Sequence, residues 1–125
     1  MPELAQITAD TIIQFKNGDI VLIKRNKNPY ENFWALPGGR IEKNETIKSA
    51  AIREAKEETG LEIKLNKMIG VYSTPNRDPR GRVITFVFHA TPVSGVLKAA
   101  DDAKEIMRTQ KPETFKLAFD HNQII

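Results

Sequence analysis

The chain has no cysteine, a single tryptophan and no long apolar run. Without cysteine it has neither disulfide bonds nor thiolate-bound metal. No apolar segment approaches the ~20 residues needed to cross a bilayer. The N-terminus, MPELAQITAD, also lacks the basic and apolar regions of a signal peptide. We therefore expect no membrane partner and, by default, a cytoplasmic location.

A strong excess of charge is also missing. The net charge is +3, and the lysines and arginines are dispersed among acidic residues. No basic block interleaved with aromatic residues is present, so nucleic acid is not an expected partner. With 125 residues, 40% of them hydrophobic and 28% charged, the composition fits one globular domain over residues 1–125.

The most informative segment is an acidic helix within residues 39–61, GRIEKNETIKSAAIREAKEETGL. Asn44 or Thr46 can cap its start, and Gly60 can end it in a left-handed conformation. At about 100° per residue, the helix places three carboxylates within an arc of roughly 100°. They are Glu54, Glu57 and Glu58.

One interpretation of these acids is a solvated, charged helix face. Like charges three or four residues apart, however, destabilise a helix by roughly 0.2–0.5 kcal/mol per pair. A divalent cation removes that conflict, and carboxylate oxygens suit Mg²⁺, with Mn²⁺ as a possible substitute. Residues 36–39, LPGG, are either an ordinary turn or a bend that presents the Gly39 carbonyl to the metal.

The spacing of these residues resembles the Nudix box: Gly39, Glu45, Arg53-Glu54, Glu57-Glu58 and Gly60. Seven fixed residues at a usage of roughly 5–7% each make a chance match on the order of one in 10⁸–10⁹ per start position. Ala55, smaller than the usual aliphatic residue, is the only soft departure. The resemblance implies a catalytic and metal-binding role for the box acids, and for Arg53 the orientation of a catalytic glutamate. Arg53 can also simply pair with Glu57.

Two segments outside the box resemble ADP-ribose pyrophosphatases of bacteria and archaea: YSTPNRDPRG at residues 72–81, and LAFDH at residues 117–121. The resemblance implies that the loop binds substrate through Pro75, Arg77, Arg80 and Gly81. Forked guanidinium donors suit phosphate or ribose hydroxyls. The alternative is a tight surface turn in which Asp78 pairs with Arg77 or Arg80.

A late acidic segment, residues 99–105, resembles the loop from which many family members supply a further carboxylate. Glu105 is the first choice for a base that activates water and Asp102 the second; a plain polar connection is the alternative. His89 is expected to be structural, and His121 fits either the site or a helix end. Tyr30, Phe33 and Trp34 are expected in the core or at its rim, where one can stack on adenine.

Hydrophobic periodicity and turn signals give the predicted elements. Residues 7–16 and 19–25 are predicted as a hairpin around Asn17-Gly18. Strands are also expected at residues 34–36, 61–74, 82–91 and 95–98, a loop at 75–81, and helices at 46–59 and 113–124. This order fits the α/β (α+β) class and resembles the Nudix α/β/α sandwich with its mixed β-sheet.

The resemblance implies a Mg²⁺-dependent hydrolase that splits ADP-ribose into AMP and ribose 5-phosphate, with a nucleoside diphosphate derivative as its small-molecule partner. It also suggests a homodimer. One alternative is a housecleaning pyrophosphohydrolase of modified nucleoside triphosphates. The other is a nucleotide-sensing regulator, a class that often loses the box acids this chain keeps.

Overall fold

A computed structural model describes residues 4–98 and 103–125 of the chain. Two β-sheets and one long helix make up most of this part. The strands are β1 Gln6–Ile13, β2 Ile20–Arg25, β3 Trp34–Ala35, β4 Gly38–Arg40, β5 Leu61–Tyr72, β6 Val83–Gly95 and β7 Ala103–Thr109. The helices are α1 Ile47–Thr59, a 3₁₀ turn Pro112–Thr114 and α2 His121–Ile124. Neither α-helix of the described residues has the length and apolarity that a membrane span requires.

The first sheet is mixed, with the order β4-β1-β6-β5. β1 and β6 run parallel along the whole of β1, while β4 and β5 pair antiparallel with their neighbours. The second sheet has the order β3-β2-β7 and is antiparallel. The mixed sheet, the second sheet and the helices confirm the predicted α+β class.

The predicted pairing of residues 19–25 with the first strand is wrong. Gln14 and Ile20 form an isolated bridge, and the Phe15 N–H donates to the Asp19 carbonyl at 2.8 Å. Beyond that turn the strands separate, because β4 and β6 already occupy both edges of β1. β2 instead becomes the centre of the second sheet, which buries the consecutive apolar residues 20–23 on both faces.

Helix α1 forms where the sequence predicts it. Thr46 is the N-cap and exchanges hydrogen bonds with Ser49 in a capping box, while Gly60 closes the helix at φ 78°. The helix buries Ala50, Ala51 and Ala55, whose small side chains let its axis lie close to the first sheet. Ala55, the soft departure from the box, therefore packs in the core beside Ile13 and Ala90 of that sheet.

Three further predictions are corrected. Residues 103–109 form β7, which was not predicted because only two central residues, Ile106 and Met107, are large and apolar. No strand lies at residues 96–98; β6 itself runs on to Gly95, at φ 99°. The predicted helix over residues 113–124 is reduced to a 3₁₀ turn and α2, because Leu117 pairs with Trp34 and Phe119 has a φ of 54°.

Candidate active site

A cavity of about 590 Å³ opens beside the N-terminal end of β4 and the last turns of α1. The residues that line it come from β1, β2, β4, α1, the loop after β5 and the C-terminal segment. The predicted site residues on this wall are Gly39, Glu54, Glu58, Arg77 and Arg80. The fold thus brings the box and the arginine loop to one cavity, although they are distant in sequence.

Two box acids face the backbone of β4. Glu58 is 6% exposed, and its Oε1 accepts a hydrogen bond from the Gly38 N–H at 2.7 Å. Glu54 lies so close to Gly39 that a Cβ at that position would be 2.5 Å from the carboxylate carbon. A glycine is therefore required at position 39 for this approach. Glu57 is exposed on the outer side of the helix and is not among the cavity-lining residues described.

Arg53 is surrounded by carboxylates. Its Nε donates to Glu45 at 2.6 Å, and its Nη1 donates to Glu54 at 2.7 Å and to Glu57 at 3.1 Å. Its Nη2 donates to the Arg40 carbonyl at 3.0 Å. The predicted pairing with Glu57 is confirmed, and the same side chain also contacts Glu54.

The charges around Arg53 stabilise one another. The hydrogen bond from Arg53 lowers the pKa of Glu45, and a backbone hydrogen bond lowers it further. The hydrogen bond to Glu45 likewise raises the pKa of Arg53 and outweighs the opposing effect of burial. Both side chains therefore stay charged at neutral pH.

The donor set fits a hard divalent cation. Glu54 and Glu58 present carboxylates to the same cavity as the Gly39 backbone, and the chain offers no cysteine to select a softer metal. Among the described residues, however, no three acidic or histidine side chains converge into a compact metal-binding group. The hydrogen bonds from Arg53 and Gly38 hold the carboxylates in the present arrangement. The assignment of Gly39, Glu54, Glu57 and Glu58 as ligands stays a prediction.

Both arginines of the predicted substrate loop have acidic partners. Arg77 makes a forked pair with Asp120, with Nε–Oδ2 at 2.8 Å and Nη2–Oδ1 at 2.7 Å, and its side chain is 5% exposed. Arg80 makes a similar fork with Asp78, at 3.0 and 2.7 Å. The predicted alternative, pairing of Asp78 with an arginine of its own loop, is thus present at Arg80. Pro75 and Gly81 are exposed and are not among the residues that line the cavity.

These pairs change the acidity of the aspartates. Burial alone would raise the pKa of Asp78 and of Asp120. Burial is the largest single effect, but hydrogen bonds and charge attraction, mainly from Arg80 at Asp78 and from Arg77 at Asp120, together outweigh it, so both pKa values are lower than usual. Both aspartates are therefore charged at neutral pH, and each neutralises one arginine at the cavity.

Glu105 lies in β7 and not in a loop, which corrects the expectation for residues 99–105. It pairs with Lys24 of β2 at 3.3 Å, and its side chain is 61% exposed. It is not among the described residues that line the cavity. Asp102 lies outside the described residues.

Several cavity residues were missed from sequence. Gln6, Thr8 and Asp10 of β1 all line the cavity because alternate residues of a strand share one face. The alternation of polar and apolar residues in QITADT was the available signal, but it is equally typical of a solvated strand face. Asp10 is in fact only 8% exposed.

A hydrogen-bond chain gives the hydroxyl of Thr8 a direction. Arg77 Nη1 donates to Thr85 Oγ1 at 2.7 Å, and the two threonine oxygens lie 2.7 Å apart. Thr85 is 2% exposed, so its own proton needs a protein acceptor, and Thr8 Oγ1 is in reach. Thr8 then accepts from Thr85 and can donate its hydrogen towards the cavity.

The aromatic side chain at the cavity is Phe119. The guanidinium carbons of Arg25 and Arg80 lie 5.0 and 5.2 Å from its ring centroid. Tyr30 packs edge-on against Phe119 and Phe33, as expected for a rim cluster. Neither Tyr30, Phe33 nor Trp34 is among the described residues lining the cavity. His89 is bound by Gln14, the residue after β1, and by Asn66 of β5, whereas His121 lines the cavity.

Comparisons with known proteins agree with this geometry. Residues 5–124 match the model of the NUDIX domain. The chain is 50% identical over 119 residues to an ADP-ribose pyrophosphatase of Methanocaldococcus jannaschii, a match covering 95% of this chain and 70% of that protein.

Solved structures of Nudix proteins share the fold of this chain. A bifunctional NMN adenylyltransferase/ADP ribose pyrophosphatase from Francisella tularensis, complexed with AMP and a Mn ion, superposes with a TM-score of 0.82 at 31% identity. The match covers 98% of this chain but 40% of that one. The NUDIX domain of Shewanella oneidensis NrtR, complexed with ADP ribose, shares the fold with a TM-score of 0.86 at 22% identity, over 98% of this chain and 85% of that one.

The family match extends over nearly the whole described chain, and two of the box acids, Glu54 and Glu58, line the cavity. The chain belongs to the Nudix hydrolase family.

Proposed function

We propose that the protein is a Mg²⁺-dependent ADP-ribose pyrophosphatase. The observation that carries the proposal is the meeting of Glu54, Glu58 and the Gly38–Gly39 backbone at one cavity. The sequence identity of 50% to the Methanocaldococcus jannaschii ADP-ribose pyrophosphatase, over 95% of this chain, supports ADP-ribose as the substrate. Water adds to one phosphorus atom while the bridging P–O bond breaks, which yields AMP and ribose 5-phosphate.

The box residues have distinct roles in this proposal. Glu54, Glu57, Glu58 and the Gly39 carbonyl hold the metal, for which Mn²⁺ is a substitute. When bound, the metal neutralises diphosphate charge and lowers the pKa of the attacking water. Arg53 orients Glu54 and Glu57 through the hydrogen bonds described above. Glu54, Glu58 or Glu105 accepts the proton of the water.

The arginine loop binds the substrate in this proposal through a rigid arrangement. Arg77 and Arg80 keep their aspartate partners at the cavity. Arg80, whose side chain is 39% exposed, offers its remaining N–H groups to the substrate, whereas Arg77, whose Nη1 already donates to Thr85, has only an Nη2 hydrogen left for it. Pro75 and Gly81 set the path of the loop around them. The partner is therefore a small nucleoside diphosphate derivative, and we extend the proposal to a cytoplasmic homodimer. Light scattering coupled to size-exclusion chromatography measures the dimer directly.

A substrate panel tests the proposal. With Mg²⁺ present, kcat/KM is measured for ADP-ribose, NADH, diadenosine polyphosphates and nucleoside triphosphates, including 8-oxo-dGTP. We expect ADP-ribose to be preferred and excess EDTA to abolish activity. A tenfold preference for a nucleoside triphosphate would favour the housecleaning function. No hydrolysis of any compound, with tight ADP-ribose binding, would favour the regulator.

Glu105 needs its own test because it is paired with Lys24 outside the described cavity lining. A positioned general base contributes ~10²–10⁴-fold to the rate. If Glu105 is the base, Glu105→Gln lowers kcat in that range with little change in KM. The matched control is Glu113→Gln, an exposed acid in the 3₁₀ turn. A wild-type kcat for Glu105→Gln would leave Glu54 and Glu58 as the candidates.

A further inference from the structure

His121 bridges β1 and the segment between β3 and β4, both of which are remote from it in sequence. It is the first residue of α2 and is 4% exposed. Its Nδ1 lies 3.1 Å from the Leu36 amide nitrogen, and its Nε2 lies 3.3 Å from Asp10 Oδ2. The ring therefore joins the C-terminal segment to both β1 and the segment that leads into β4.

These contacts select one tautomer of the ring. A backbone N–H can only donate, so Nδ1 must keep its lone pair to accept from Leu36. The ring hydrogen then lies on Nε2 and points towards the Asp10 carboxylate. Asp10 thus orients the imidazole in the way that outer carboxylates orient histidines at metal sites.

The Leu36 amide is the first of three consecutive anchors. The Thr11 N–H donates to the Pro37 carbonyl at 2.9 Å, and the Gly38 N–H donates to Glu58 at 2.7 Å. The next residue is Gly39, the proposed backbone ligand of the metal. Residue 37 is proline and has no N–H, so the Leu36 amide is the nearest upstream donor that can fix this backbone.

We propose that His121 is a positioning residue that fixes the Leu36–Gly39 backbone, and through it the carboxylate of Glu58, for metal binding. The inference rests on the proposed metal-dependent function only through Gly39 and Glu58, and is independent of the substrate. Loss of the Nδ1 acceptor leaves the Leu36 N–H unsatisfied in a buried position. It also loosens the segment that carries Gly39 and whose Gly38 N–H holds the carboxylate of Glu58 on α1.

Two amide substitutions distinguish the contact made by Nδ1 from the contact made by Nε2. In His121→Asn the side-chain oxygen takes the place of Nδ1 and can still accept from Leu36. In His121→Gln the side-chain nitrogen takes the place of Nε2, so the contact with Asp10 is kept and the Leu36 acceptor is lost. His89→Gln is the control, since His89 is bound on β6 by Gln14 and Asn66.

The probe is Mn²⁺ binding, measured by electron paramagnetic resonance without substrate. Outer-sphere partners typically contribute 10–100-fold to metal affinity or activity, so we expect His121→Gln to weaken Mn²⁺ by about that factor. It should lower kcat for ADP-ribose similarly, with KM little changed, and speed hydrogen exchange at the Leu36 amide. His121→Asn should stay within about threefold of wild type on each scale, and His89→Gln should match wild type.

Equal losses in the two His121 variants would overturn the proposal, because the Leu36 contact would then not be decisive. Wild-type Mn²⁺ affinity in His121→Gln would overturn it too. If neither variant folds, a scalar coupling across the Leu36 N–H···Nδ1 bond in ¹⁵N-labelled wild-type protein decides, and its absence refutes the positioning. If wild type fails to cleave ADP-ribose while the Mn²⁺ difference persists, the proposed substrate is wrong and the positioning role stands.

Discussion

At the scale of single residues, Arg53 explains how a dense set of acids is compatible with a stable helix. Its guanidinium reaches Glu45, Glu54 and Glu57 at 3.1 Å or less. Its side chain is only 22% exposed, so these charge-assisted bonds are less screened by solvent than ordinary surface pairs. Glu54, the one of these three acids that lines the described cavity, is therefore held in place by Arg53 before any metal binds.

The two glycines of β4, Gly38 and Gly39, should respond differently to alanine. At position 39 the new methyl group would meet the end of the flexible Glu54 side chain, which can rotate away. At position 38 it would overlap Asp10 Oδ1 and lie 2.6 Å from the Ala9 carbonyl oxygen, which is fixed in β1. We therefore expect Gly39→Ala to fold normally but to lower kcat by about 10²-fold, a typical loss for a misplaced catalytic group.

Gly38→Ala is the comparison for this prediction. It should lower the melting temperature in addition to activity, since backbone must shift to admit the methyl group. Circular dichroism and steady-state kinetics on both variants provide the measurements. A Gly39→Ala protein with wild-type kcat would show that Glu54 does not need its present position.

At the scale of elements, α1 depends on local signals that act at its first residues. Thr46 Oγ1 accepts from the Ser49 N–H at 3.0 Å, and Ser49 Oγ accepts from the Thr46 N–H at 2.9 Å. Thr46→Ala removes half of this box and should cost about 1 kcal/mol of unfolding free energy. Activity should persist because Ala50, Ala51 and Ala55 still anchor the helix on the sheet.

Urea denaturation measures the cost of losing the cap. Lys48→Ala is the control, because this exposed helix position takes no part in the capping box. A Thr46→Ala protein as stable as Lys48→Ala would mean that tertiary packing alone fixes the start of α1.

The elements that were predicted correctly are those specified by neighbouring residues. The cap at Thr46, the alanine stripe and Gly60 identify α1 within one short segment. β7 was missed because its identity depends on pairing with β2, which lies some 80 residues earlier, and the charged residues Glu105 and Arg108 hide its apolar pattern. The helix prediction for the C-terminal segment was wrong for a related reason, because the pairing of Leu117 with Trp34 overrides the helical pattern of that segment.

The same distinction holds within the site. Glu54 and Glu58 are one helix turn apart, so their spacing alone places both at the cavity wall. The contacts of Asp10 and His121 join β1, the segment before β4 and the C-terminus, and the Leu36–His121 bond spans 85 positions. Contacts over such distances follow from the path of the whole chain, which local patterns do not specify.

At the scale of the whole molecule, the C-terminal segment closes the structure onto the first sheet. Asp120 holds the buried Arg77 through two hydrogen bonds of 2.8 and 2.7 Å. Arg77 in turn donates to Thr85 of β6, so one ion pair ties the tail, the arginine loop and the sheet together. The adjacent His121 extends this connection to Leu36 and Asp10.

This ion pair predicts how stability depends on pH. Because Arg77 lowers the pKa of Asp120 in the folded protein below the usual 3.8, its contribution is fully present above that value. It is lost as the pH falls from about 4 through the lower pKa of the folded state. Asp120→Asn leaves Arg77 buried without its anion, and removal of one partner of such a pair typically costs about 3–5 kcal/mol. We expect a loss at the lower end of that range at pH 7, since Asp120 is partly exposed.

The decisive comparison is the difference in unfolding free energy between wild type and Asp120→Asn, measured by urea denaturation from pH 7 to pH 3. The difference should be constant down to about pH 4 and then shrink, because protonation of Asp120 in the wild type makes the two proteins alike. Glu113→Gln, which alters an exposed acid, controls for the change in net charge. A difference that stayed constant down to pH 3 would assign the stabilisation to the shape of the Asp120 side chain and its hydrogen bonds, and not to its charge.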